Sequence, residues 1–190
     1  MMTVNEQKND WRLRCVAIRA RIHPKQKQVN DRALCARIIV SDAFRLADTV
    51  LLFSPVRGEP DLLPLLPVAQ VLGISVAFPR CVGKEMVFHT VTGVNELIPD
   101  RFGIPAPAPD APVAHLTART LCLLPGLAAG RDGTRLGYGG GFYDRFLATF
   151  KGITLFPIYK RLLFDTVPAD ELDRRADHIL TEKGEIVIRV

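Results

Sequence analysis

The sequence predicts an α/β protein: an open, mainly parallel sheet with helices on both faces, a three-layer α/β/α arrangement formed by residues 1–190 as one domain. Three observations carry that expectation. Short apolar runs of strand length alternate along the chain with segments of helical period, the order that builds parallel sheets from strand–helix–strand units. Hydrophobic residues make up 48% of the 190 and charged ones 24%, with no low-complexity block, so a sizeable core is available. Finally, RLGYGGGFYDR (Arg135–Arg145) falls between a strand and a helix, where such sheets bind ligands.

Taken in order, Asp10 can cap a first helix that places Trp11, Cys15, Ile18 and Ile22 on one face and ends at His23-Pro24. A second helix is expected from about Asn30 to Ala43, with Leu34 and Ile38 inward. TVLLFS (Thr49–Ser54) reads as a strand ended by Pro55 and Gly58. Leu62–Leu72 reads as a helix whose regular part Pro64 and Pro67 push to the later turns. Ile74–Arg80 and Met86–Val91 are the next strands. The proline-rich 103–113 can be neither helix nor central strand and reads as a loop on the surface. Leu121–Pro125 is a buried strand. FYDRFLATF, with Phe142, Phe146 and Phe150 aligned, is a helix. Ile153–Tyr159, HIL and the terminal EIVIRV complete the strands.

Composition limits the function classes. Lysine and arginine number 25 against 20 acids, a net charge of +5. So small an excess suits anionic small molecules and a solvated surface, not nucleic acid as the main partner. Cys15, Cys35, Cys81 and Cys122 are isolated, as are His23, His89, His115 and His178. They read as reduced thiols and scattered imidazoles, not a zinc site. No apolar run reaches the ~18 residues of a membrane span, and no apolar signal core opens the chain. Residues 11–28 are basic and poor in acids, faintly like a transit peptide, but Glu6, Asp10 and Pro24 argue against one. A cytoplasmic monomer is the expectation.

Glycine costs roughly 0.5–1 kcal/mol relative to alanine inside regular structure, so four of them in Arg135–Arg145 imply a sharp turn or a close approach. Glycines leading into a helix present free backbone N–H groups, a setting for phosphates. Arg135 and Arg145 bracket them with cations, and Asp144 is a hard oxygen donor for Mg²⁺. A plain glycine turn with an ordinary helix cap is the alternative. The dinucleotide fingerprint fails, because its third glycine would fall on Phe142, and no phosphate-loop GxxxxGK[ST] occurs.

LLPGLAAGRDGTRLGYGGGFYDRFL (Leu123–Leu147) closely resembles the signature of the 5-formyltetrahydrofolate cyclo-ligase family. The likeness extends to an arginine-bearing first helix, to Glu59 and Asp61 after the first strand, and to Met86-x-Phe88. It ends in a terminal pattern of Pro168, Asp173, Thr181 and Glu182. The resemblance implies ATP- and Mg²⁺-dependent closure of 5-formyltetrahydrofolate to 5,10-methenyltetrahydrofolate, with ADP and phosphate released. It places ATP on Asp10, Arg14, Arg135, Gly137, Tyr138, Gly139, Gly140, Gly141, Phe142 and Tyr143. Asp144 and Asp173 would bind Mg²⁺, Glu59 the pterin, and Phe53, Met86, Phe88 and Tyr143 the walls around it. Arg145 and Tyr143 take the catalytic positions.

Against the family pattern, K-x-x-L-R becomes Asp10–Arg14, putting an acid where a lysine contacts ATP. Gly130 replaces the aspartate of G-L-A-F-D, with Ala129 for its aromatic residue. Ala106 replaces the acid before proline in G-I-x-E-P, and Leu172 the histidine of the terminal H-D pair. These departures leave a second possibility, a diverged member that holds a nucleotide or reduced folate without efficient turnover.

Overall fold

The computed structural model describes residues 2–188. Seven strands form the main sheet in the order β12-β11-β9-β6-β1-β2-β3. They are β1 (Thr49–Leu51), β2 (Ser75–Val82), β3 (Glu85–Thr90), β6 (Thr120–Leu123), β9 (Ile153–Pro157), β11 (His178–Thr181) and β12 (Gly184–Val187). The five from β11 to β2 run parallel, and β3 and β12 close the edges antiparallel. Every residue of β1 and β6 is buried. Successive strand side chains point to opposite faces, so these central strands are covered on both. This is the open, mainly parallel α/β sheet the sequence predicts.

Five helices are α1 (Val4–Ala20), α2 (Pro24–Val40), α3 (Asp42–Arg45), α4 (Leu65–Val71) and α5 (Phe142–Leu147). Two small sheets, β4 (Ile98–Pro99) with β5 (Pro105–Ala106), and β7 (Ala128–Gly130) with β8 (Arg135–Leu136) and β10 (Leu163–Phe164), frame the loops. β2 returns beside β1 through α4, whereas β6 takes the other side of β1. The strand order therefore reverses between β1 and β6, which opens a crevice beyond their carboxyl ends.

Several boundaries differ from the sequence reading. Thr3, not Asp10, caps α1: its Oγ1 accepts from Glu6 N at 3.3 Å, and the Glu6 carboxylate accepts from Thr3 N at 2.7 Å. That reciprocal box starts the helix upstream of Asp10. Pro24 ends nothing; it opens α2 at the first helical position, where its missing N–H is no loss. α2 stops at Val40 because Ser41 caps a separate α3. The strand expected through Ser54 ends at Leu51, and α5 ends at Leu147, short of Phe150. Phe150 still packs on Phe146, with ring centroids 5.1 Å apart. Arg189 and Val190 of the expected last strand lie outside the described residues. No helix of the described residues is long and apolar enough to cross a membrane, and all four cysteines are free.

Candidate active site

The glycine stretch lies over the crevice, and its composition has two separate causes. Gly139 (φ 96°) and Gly141 (φ 66°) adopt left-handed backbone that a side chain would strain. Gly137 is needed for space: a Cβ there would sit 2.8 Å from Arg135 Nη1. The buried Arg135 guanidinium donates to Pro125 O at 3.1 Å, pairs with Asp144 at 2.8 Å and lies 5.7 Å from the Tyr143 ring centre. The loop is thus folded tightly around one buried cation. α5 has only six residues, and Gly141 gives it no side-chain cap, so the amides of the loop matter more here than a helix dipole.

Two clefts meet at this loop and share Arg135, Gly137, Gly139, Gly141 and Asp144. The first, about 260 Å³, is apolar. Phe53, Met86 and Tyr143 line it as expected, and so do Phe102, Ile104, Pro105 and Phe142. Phe88 does not. It stands behind the wall, 4.9 Å from Phe146 and 6.4 Å from Tyr143 between ring centres, and is a core residue. The strand periodicity that buries Met86 also buries Phe88, two residues on.

Glu59 also lines this cleft, only 2% exposed. Its Oε2 accepts from Val56 N at 3.0 Å, while Oε1 is buried without a partner. Burial pushes its pKa up, against the opposing pull of Val56 N–H, Arg19 and Tyr138. The Tyr143 hydroxyl is likewise buried and unpartnered, and burial holds its pKa well above that of free tyrosine. At neutral pH it is a hydrogen-bond donor, not a base.

The second cleft, about 380 Å³, is polar, lined by Lys8 and Arg12 of α1 and by Asp144, Arg145, Asp170 and Asp173. Lys8 Nζ pairs with Asp170 at 2.6 Å and Asp173 at 2.5 Å. Burial works against its charge, but these bonds prevail and raise its pKa; the same bond lowers that of Asp170. Arg12 donates to Gly137 O at 2.9 Å. Arg145 donates to Lys84 O at 3.0 Å and Gly140 O at 3.1 Å, stacked 5.0 Å from the Phe142 ring centre. It braces the loop.

Asp10 and Arg14, the expected ATP contacts on α1, line neither cleft. Both are exposed, and Arg14 instead stacks on Trp11 at 5.2 Å. Helical geometry explains the correction: positions 8, 12, 15 and 19 share one face, and two residues' displacement turns a side chain by ~200°. Lys8 and Arg12 keep the family's lysine-to-arginine spacing of four, with Trp11 in the leucine's place. On this face it is Lys8, not Asp10, that reaches the polar cleft.

The structure also places the other three positions where the sequence departs from the family pattern. A Cβ on Gly130 would lie 2.6 Å from Asp132 Oδ1, and Asp132 accepts from Thr134 N and Oγ1, so a neighbouring carboxylate occupies the space. Ala106 is buried at the apolar cleft. Leu172 stands 79% exposed at the polar one. For a metal, no group of three or more His, Cys, Asp or Glu comes together among the described residues. Asp144 and Asp173 do both face the polar cleft. Each is paired with a cation, Asp144 with Arg135 and Asp173 with Lys8, and carboxylates of this kind are what Mg²⁺ takes, one or two together with substrate phosphates.

A mainly parallel sheet with an apolar and a polar cleft joined at its switch point defines an α/β protein suited to holding two chemically unlike ligands side by side. The chain belongs to the 5-formyltetrahydrofolate cyclo-ligase family, whose model matches residues 4–182. It is 31% identical over 153 residues to the 5-formyltetrahydrofolate cyclo-ligase of Mycolicibacterium smegmatis, covering 73% of this chain and 76% of that one. The Escherichia coli K12 cyclo-ligase is 28% identical over 163 residues, 82% and 89% of the two chains. The NMR structure of Aquifex aeolicus 5,10-methenyltetrahydrofolate synthetase superposes with a TM-score of 0.85 at 26% identity, covering 96% and 93%.

Proposed function

We propose that the chain closes 5-formyltetrahydrofolate to 5,10-methenyltetrahydrofolate at the expense of Mg-ATP, releasing ADP and phosphate. The observation that carries this reading is the wall shared by the two clefts, with Arg135 and Asp144 facing both. The pterin lies in the apolar cleft with Glu59 at its floor, and the triphosphate lies in the polar one. A formamide oxygen leaves poorly. Transfer of the γ-phosphoryl to it makes phosphate the leaving group, so the neighbouring amine attacks the formyl carbon and the ring closes. Such a transfer needs mainly positioning and charge neutralisation.

Glu59 Oε1 lacks a donor in the protein, and a pterin edge supplies one. Lys8, Arg12 and Arg135 are the cations for the phosphates. The amides of Gly137, Tyr138, Gly139, Gly140, Gly141, Phe142 and Tyr143 frame them. Asp144 and Asp173 would hold Mg²⁺, whose contribution is to offset the negative charge of the phosphates. Tyr143 donates toward the apolar cleft, and Arg145 positions the loop rather than reacting. The small-molecule substrates are the partners in this reading, and the protein is a cytoplasmic monomer. ATP-dependent growth of methenyltetrahydrofolate absorbance from 5-formyltetrahydrofolate tests the proposal. Folded protein that binds both ligands but yields no such product would establish the non-catalytic alternative.

A further inference from the structure

Tyr138 belongs by its backbone to the glycine loop, between Gly137 and Gly139, yet its side chain faces the apolar cleft. Two groups from outside the loop hold it, and Glu59 of the same cleft lies beside it. The buried Arg19 of α1 donates to the tyrosine hydroxyl from Nη1 at 2.9 Å and to Gly126 O from Nη2. Arg57 stacks on the ring at 5.5 Å, from a left-handed backbone of φ 49°. Glu59 is close enough to the hydroxyl that each shifts the other's pKa. The arrangement is unfinished. Glu59 Oε1 has no donor and Arg19 Nε has no acceptor, and both atoms are buried.

Because Arg19 can only donate, the Tyr138 hydroxyl accepts from it and has its own proton free for the Glu59 side. A ligand that brings an N–H to Oε1 fixes the carboxylate, and a fixed carboxylate fixes the hydroxyl and the ring. The ring is one residue from Gly137 and Gly139, which wall the polar cleft. The ring and these two glycines are consecutive in the chain, so a ligand that fixes the ring and a ligand that meets the glycine amides act on one backbone segment. We propose that Tyr138, positioned by Arg19, couples the two clefts, so that a pterin and a nucleotide bind with positive cooperativity.

This inference rests on the proposed function for the identity of the two ligands. Linkage requires the same factor in both directions. The test is calorimetric titration of the full chain with 5-formyltetrahydrofolate, with and without a saturating non-hydrolysable Mg-ATP analogue. In the wild type the analogue should tighten folate roughly five- to hundredfold, the usual range of site coupling. Tyr138→Phe keeps the ring and removes the hydroxyl. It should bring the factor to within about twofold of unity, whatever it does to each ligand's separate Kd. Arg19→Lys, which keeps the charge and loses the fork, should retain part of it. If Tyr138→Phe does not fold, Arg57→Ala, at an exposed position touching the ring face, should show a smaller loss of the same kind. Undiminished coupling in these variants, or a wild type that binds both ligands independently, overturns the inference alone. A folded wild type that binds neither overturns the proposed function, and this with it.

Discussion

At the residue scale, Glu59 shows what burial does to a carboxylate. An acid two percent exposed, with one oxygen unpartnered, is costly to keep ionised. Its folded pKa is therefore above the ordinary carboxylate value, so across that window the native state binds the proton more tightly than the unfolded chain. Glu59's contribution to stability consequently falls as pH rises through the window. A pterin N–H favours the ionised form, so folate affinity should rise with pH across the same window, and binding there should release a proton. Arg19 from α1, Tyr138 from the glycine loop and Tyr143 from α5 are the titratable or charged neighbours facing this carboxylate. Glu59→Gln should weaken folate tenfold to a hundredfold, about 1.5–3 kcal/mol for a charge-assisted contact. It should abolish the pH dependence and leave nucleotide affinity near normal. Calorimetry in two buffers of different ionisation enthalpy measures both quantities. Equal losses for folate and nucleotide would mean that the carboxylate serves the fold.

At the scale of elements, α1 separates what was legible in the sequence from what was not. The helix was plain from the spacing of Trp11, Cys15, Ile18 and Ile22. Its cap and its functional face were not, because Asp10 is as good a local cap as Thr3 until the reciprocal partner Glu6 is noticed. One periodicity also serves the core and the cleft: Cys15 packs inward on the same stripe that sends Lys8, Arg12 and Arg19 to the site. The face now predicts two opposite outcomes. Asp10→Lys should change ATP affinity and turnover little. Lys8→Ala should raise the KM for ATP at least tenfold, since a charged contact typically contributes ~1.5–3 kcal/mol. Its stability cost should be about 1–2 kcal/mol, below that of a fully buried pair because Asp170 is partly solvated. Steady-state kinetics beside urea unfolding separates the effects. A strong response at Asp10 and none at Lys8 would contradict this face assignment.

At the scale of the whole molecule, the sheet was readable because its central strands are buried on both faces and so appear as unbroken apolar runs such as LCLLP. The glycine loop was readable because a cluster of glycines marks a sharp turn or a close approach. The far wall of the apolar cleft was not. Phe102, Ile104 and Pro105 come from a proline-rich connection with no periodicity, and only the β4–β5 pairing carries them over the crevice. Phe102 remains 56% exposed on its rim. Assembly from separate segments has a thermodynamic consequence. The polar cleft draws on α1, the glycine loop and the segment around Asp170–Arg174, which come together only in the native chain, so a ligand held there stabilises folding as a whole. Mg-ATP at about a hundred times its Kd should raise the unfolding free energy by about 2.7 kcal/mol. For a chain of this length, that amounts to roughly 5–10 °C in Tm. ATP with chelator should give a smaller shift, because Asp144 and Asp173 would then face the phosphates without the cation between them. Asp144→Asn should reduce the Mg²⁺-dependent part while leaving the ligand-free Tm within a few degrees. A differential scan in which Mg-ATP leaves the Tm unmoved at millimolar concentration would exclude a nucleotide from this cleft. A ligand-free Tm that collapses in Asp144→Asn would make its bond to Arg135 a structural one.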